Sequence, residues 1–232
     1  MIIAALVAAT FSVAPVGVTF DQITTVHRPG QPAPGVRSRV SCSGRRLRLE
    51  PAEGAPGVAL VLRLDEGRAL RLDPEARVAT ELDAERLRAR SQSDAALAAG
   101  LMGAPEEGDL RATALPGTRT IAGHACRGYR LAGRFVTVDA WVAEDLPLRA
   151  SVFADFLEWS GAGQALAGLV VAVRALPGFP LETRMRVSVL GEVQETVSTV
   201  TAIRVAALPD SLFDAPAGWR VVRETPTPEV PR

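Results

Sequence analysis

The chain carries two cysteines and two histidines, Cys42, Cys126, His27 and His124. One of each falls in "TIAGHACRGYRL", residues 120–131, two positions apart. On a strand, residues at that spacing share a face, so the His124 ring lies on the Cys126 side. A thiol nucleophile needs a base within reach, a group that orients the base, and donors for the developing oxyanion. No local residue type supplies the last two. A zinc site would need all four of these side chains, and none shows finger or ribbon spacing. Two readings of the cysteines remain open. One is a Cys42–Cys126 disulfide, which suits an even cysteine count in an exported chain. The other is a pair of small buried thiols in strands. The chain also has no phosphate loop, G-x-S-x-G, H-E-x-x-H or dinucleotide fingerprint. Adjacent acidic residues such as Glu106-Glu107 and Asp65-Glu66 fall in expected loops, where solvation explains them. The sequence therefore predicts no catalytic, metal or cofactor-binding residue, and reads as a non-enzyme.

The surrounding pattern is mostly strand. From Gly17 the period is two, with Val18, Phe20 and Gln22 on one face and Thr19, Asp21 and Ile23 on the other. "RPGQPAPG" (28–35) is a Pro/Gly loop. Val36–Ser41, "RRLRLE" (45–50), "VALVLRLD" (58–65), "RALRLD" (68–73) and Arg77–Leu82 continue the alternation, with turns at Ser43-Gly44 and Glu66-Gly67. A second meander runs through Ala114–Ile121, Ala125–Leu131, Phe135–Val142 and Arg149–Phe153. Gly123 takes a positive φ at low cost, so Ile121–His124 reads as the turn of a hairpin. "ETRMRVSVL" (182–190) sets Met185, Val187 and Val189 against Arg184, Arg186 and Ser188, and Val193–Val205 returns as a long Thr/Val-rich strand.

Two segments are helical in pattern. Asp83–Met102 opens on a capping Asp and is rich in Ala, Leu, Glu and Arg. In the second, Phe156, Trp159, Gly163, Leu166, Leu169, Val170 and Val173 recur at helical steps and line one apolar face. Its glycines lower intrinsic stability by up to about 1 kcal/mol each, so this helix needs tertiary support. An ordinary core helix and the wall of a ligand site both fit it. Phe156, Trp159, Leu166 and Val170 are the candidate lining of an apolar site. Trp159 is the tryptophan suited to a pocket. Trp141 lies on a strand and Trp219 packs near the C-terminus.

Composition bounds the rest. The 232 residues suffice for one well-buried domain. With 47% hydrophobic and 22% charged residues the chain is globular. A formal net charge of zero gives no long-range attraction for nucleic acid or an anionic membrane. There is no lysine; the basic residues are scattered arginines. Met1–Phe20 has no charged side chain. Ile2–Val13 has the length of a signal-peptide apolar core, and Ser12-Val13-Ala14 offers small residues for cleavage near 14–17, although no basic residue precedes the run. A buried first strand or an uncleaved anchor are the alternatives, and Pro15 and Gly17 argue against a spanning helix of about 20 residues. The expected organisation is a signal peptide over 1–15, one domain over 16–222 and a disordered Pro-rich tail over 223–232. That places the mature protein in the periplasm or outside the cell, without a stable membrane span.

Four motifs occur in order: Ile121, Gly123, Cys126 and Tyr129 in the hairpin; Trp141 on the following strand; Gly178, Pro180 and Leu181 leading into a strand pair; and Phe213, Pro216, Gly218 and Trp219 near the end. Together they resemble a family of exported bacterial proteins known only as a domain of unknown function. That family is similar to the lipoprotein carriers of the LolA/LolB type. The resemblance implies an α+β fold: a curved antiparallel sheet, an incomplete barrel, with two helical segments against its concave face. It also implies an acyl chain of a lipid or lipoprotein held between sheet and helices. The expected function is a non-catalytic binding protein of the bacterial envelope. The alternative is a structural or interaction protein of the envelope with a filled core, a protein partner and no ligand.

Overall fold

The computed structural model describes residues 16–28, 33–52, 55–83, 85–89, 92–93, 110–133, 136–160, 167–189 and 192–224. The proposed signal segment, the tail beyond 224 and most of the first helical segment lie outside them. Among the described residues the fold is a single twelve-stranded sheet. In chain order its strands are β1 (Val16–His27), β2 (Gly35–Ser43), β3 (Arg46–Pro51), β4 (Ala59–Arg63), β5 (Arg68–Asp73), β6 (Val78–Leu82), β7 (Arg111–Ile121), β8 (His124–Ala132), β9 (Val136–Ala143), β10 (Phe179–Val189), β11 (Glu192–Ala207) and β12 (Arg220–Arg223). Helices α1 (Ser151–Ser160) and α2 (Ala167–Arg174) separate β9 from β10, and a 3-10 turn spans Asp210–Phe213.

The order across the sheet is β12-β6-β5-β4-β3-β2-β1-β11-β10-β9-β8-β7. Two meanders thus join where β1 pairs antiparallel with β11. The edges, β7 and β12, do not pair with each other, so the sheet stays open as an incomplete barrel. Turn chemistry sets the hairpins. Ala122 and Gly123 both adopt positive φ, 49° and 86°, giving the tight two-residue connection between β7 and β8. Asp83 accepts hydrogen bonds from the backbone N–H groups of Glu85 (2.9 Å) and Arg86 (3.1 Å), capping the helical turn at 85–89 as its position predicts.

Among the described residues the core has three parts. The largest joins Phe20, Cys42, Leu62 and Leu64 to Cys126, Trp141, Leu146, Val152, Phe179 and Leu181, with Phe156 and Trp159 packed against it. A second covers the other face of β4–β6: Val61, Leu70, Leu72 and Ala79 meet Leu208, Phe213 and Trp219. The C-terminal motif residues are therefore a plug, and Trp219 packs as expected. The third, under α2, unites Leu131, Ala140, Val142, Ala150, Ala172 and Leu176.

Several expectations need correction. Arg149–Phe153 is not a strand: Ala150 donates its N–H to the Gly178 carbonyl at 2.9 Å, and α1 begins at Ser151. The apolar stretch from Phe156 to Val173 is not one helix but parts of two. Arg174 bonds Asp155 at 2.8 Å and Glu158 at 2.6 Å, tying them together. The tail does not start at residue 223. Arg220–Arg223 adds a strand parallel to β6, and Glu224 donates its backbone N–H to the Glu81 carbonyl.

The wet face carries ion pairs. Arg130 Nε and Nη2 bond Asp139 Oδ1 and Oδ2 at 2.6 and 2.9 Å. Those hydrogen bonds hold the Asp139 carboxyl below the usual carboxylate range. Such a group stabilises the fold above its unfolded value of about 3.9, and that contribution is lost as pH falls through the lower folded value. Asp139→Asn should therefore lower the melting temperature at neutral pH, with the difference from the native chain narrowing as pH falls below the ordinary carboxylate range. Thermal melts across pH check this; a difference that persists in acid would contradict it.

Candidate functional site

Both thiols singled out by their spacing are buried. Cys42 on β2 is 1% exposed and Cys126 on β8 is 0% exposed. Both are free thiols here, in the same apolar cluster. Burial pushes the Cys42 thiol up to about 12 and raises that of Cys126 as well. Neither is poised as a thiolate at neutral pH. The His124 ring turns instead to Asp145, with Nδ1 to Oδ2 at 2.8 Å, while Cys126 Sγ points to the His124 carbonyl. Among the described residues no group of three His, Cys, Asp or Glu side chains can hold a metal. Both thiols should resist alkylation in the folded protein and react fully in denaturant. A mass increase on either cysteine under native conditions would contradict their burial.

The other hairpin residues serve packing. Register sets Gly128 opposite Trp141, whose ring lies so close that a Cβ on Gly128 would meet it at 3.0 Å. Arg119 lies over the indole at 4.1 Å and donates to Glu182 at 3.0 Å. The opening stretch is thus an edge hairpin closed by an aromatic ring and an ion pair.

The candidate site lies between sheet and helices. A cleft of about 400 Å³ runs under α1 and α2. Its roof is Phe153, Phe156 and Leu157 from α1, at helical spacing, and Leu169 and Val173 from α2. Its floor comes from alternate residues of β8–β11 and β1. Leu131, Val138 and Met185 stand in one cross-strand row; Ala140, Thr183 and Ser198 form the next. Phe20 stacks obliquely on Phe179 with centroids 5.3 Å apart, and Phe179 on Phe153 at 5.6 Å, so one aromatic column links floor to roof.

Of the candidate lining residues, Phe156 is in the cleft. Trp159 packs against the main core, and its Nε1 is buried without a hydrogen-bond partner among the described residues. Its carbonyl accepts from Arg88 Nε at 3.1 Å. Val170 is buried but outside the lining, and Leu166 lies outside the described residues. Leu169 and Val173, on the same predicted apolar face as Phe156, line the cleft from α2. The floor was half visible: period-two alternation already put Phe20 with Gln22, and set Met185 apart from Arg184 and Arg186. What alternation could not give is the pairing of β1 with β11, which brings Gln22 beside Val200.

The sequence pattern of a family described as a domain of unknown function (DUF4412) matches residues 90–219, and the chain belongs to that family. No curated protein matches the chain. Solved structures with related coordinates include MucB, at 13% identity and a TM-score of 0.44, covering 90% of this chain and 61% of that one. An uncharacterized conserved protein from Thermus thermophilus shares 12% identity at a TM-score of 0.43, covering 90% of both chains. A LolA superfamily protein from Nitrosomonas europaea shares 13% identity at 0.34, covering 85% of this chain and 90% of that one. PNGF-II matches at 12% identity and 0.41, and the chain spans only 31% of its length. At such scores and identities these likenesses carry no functional weight. No helix among the described residues is long and apolar enough to cross a membrane.

Proposed function

We propose that this is an exported, non-catalytic binding protein of the bacterial envelope that holds a lipid or other acyl chain between its sheet and its helices. The observation that carries the reading is the cleft. It falls within the roughly 300–1,000 Å³ typical of small-molecule sites. Its walls are mostly aromatic and aliphatic, with a few neutral polar side chains, and none of its lining residues among those described is titratable. A close-packed interior would instead favour a scaffold, since cores leave few voids larger than a water. Export rests on the uncharged N-terminal stretch, and absence of catalysis on the burial of both thiols. An envelope protein partner, for example the protein that delivers or receives the cargo, is compatible with the same reading.

Uptake of the neutral fluorophore N-phenylnaphthylamine by the purified protein tests the binding step. Saturable enhancement at one equivalent is expected. No enhancement, with no uptake of a fluorescent fatty acid, would favour the filled scaffold.

A further inference from the structure

The cleft changes character along its length. Under the helices it is apolar, but on β10, β11 and β1 its lining includes Thr183, Thr196, Ser198 and Gln22 beside Phe20 and Val200. Thr183 stands opposite Ser198, and Ser198 opposite Thr24. The Ser198 and Thr24 hydroxyls are 2.7 Å apart. Gln22 stands one row away, beside Val200, and donates its Nε2 to Ser38 Oγ at 3.2 Å, so its amide turns toward β2. Thr183 and Thr196 hydroxyls have no hydrogen-bond partner among the described residues. A hydroxyl both donates and accepts, so this row can meet either kind of polar atom. Among the described residues the lining carries no charge; the cation on that face, Arg28, lies one row beyond Thr196 and is engaged with Gln194 at 3.4 Å. Arg184 and Arg186 alternate with Thr183 and Met185 along β10 and so leave from the opposite face. Arg186 is also engaged with Glu195 at 2.7 Å.

We infer that the cleft selects a single-chain amphiphile whose polar part is neutral: an alcohol, ester or amide. Its chain lies beneath α1 and α2, and its polar group rests on Thr183, Ser198 and Thr196. A carboxylate or phosphate in that position would lose hydration and gain no countercharge. A neutral hydroxyl or ester exchanges water for the threonine and serine hydroxyls at little cost. This inference rests on the binding function proposed above and specifies its ligand.

The test is displacement of bound N-phenylnaphthylamine from the full chain, below micellar concentrations, by ligands of matched chain length: monolaurin, dodecanol, dodecanoate and dodecylphosphocholine. At about pH 8, where the fatty acid is ionised, monolaurin and dodecanol should displace the probe at concentrations at least about tenfold lower than the two charged ligands. Dodecanoate should gain as the pH is lowered through the carboxylate range. Thr183→Val with Ser198→Ala should remove most of the monolaurin advantage over dodecanoate, read as the ratio of the two displacement constants in the same protein, because a lost hydrogen bond is worth about 1 kcal/mol, or roughly fivefold. Equal or tighter binding of dodecanoate at that pH overturns the inference and leaves the binding function standing. So does an unchanged monolaurin preference in the double variant. Failure of the fluorophore and of every amphiphile to bind overturns both.

Discussion

Gly178→Ala is expected to destabilise the protein by about 3 kcal/mol or more, a fall in melting temperature of roughly 6–12 °C for a domain of this size. Gly178 lies between α2 and β10, where the chain crosses the end of β9. A Cβ there would overlap the Ala143 carbonyl oxygen, approaching its carbon at 2.7 Å and Glu144 Cα at 2.9 Å. These are backbone atoms of a buried strand end, so no side chain can swing aside. The Gly178 carbonyl also accepts the Ala150 N–H just before α1. Any shift that relieves the overlap moves the start of the cleft's roof. Gly44→Ala is the control: a Cβ there meets nothing within 4 Å, and only its φ of 57° opposes the change. That should cost about 1–2 kcal/mol. Calorimetry of both variants decides the matter. Equal shifts would show that close backbone approach at Gly178 is not what the motif preserves.

Val138→Trp is expected to weaken chain binding roughly 50- to 200-fold while leaving the protein folded. Val138 is half-buried on β9, in the floor row with Leu131 and Met185, and its side chain borders the cleft. Val138 sits where the third core cluster meets the cleft, and the larger indole extends toward the cleft. It would displace three or four methylenes of a bound chain. At about 0.8 kcal/mol per buried CH₂ this is roughly 2.4–3.2 kcal/mol, which is the stated loss. Titration of the fluorophore against native and variant protein reads the effect. Undiminished affinity in a folded variant would place the ligand elsewhere.

The contrast between these sites shows what local sequence reveals. Gly123 and Gly67 mark their turns because turn geometry is a property of a few neighbouring residues, and both adopt positive φ. Alternation around Phe20 and Met185 sorted cleft-facing from outward-facing residues for the same reason. The joining of β1 to β11 was not legible, since Thr24 and Ser198 are 174 positions apart and either strand's pattern fits many partners. β12 was missed because four residues, "RVVR", are too short for a periodic signal and their pairing with β6 is parallel. The Phe156 side of α1 was visible in the helical spacing. Which of Leu169 and Val170 faces the cleft was not, because the two are equally apolar and only the tertiary tilt decides between them. The cysteines drew notice for their chemistry, yet their environment makes them packing residues.

Native mass spectrometry of the protein, released from envelopes without detergent exchange, reads directly whether the cleft carries a chain. The expected spectrum shows the folded chain carrying one adduct of amphiphile mass, which collisional activation releases and which Val138→Trp abolishes. A folded native chain that is free of adducts and stays so after incubation with monolaurin would contradict the account.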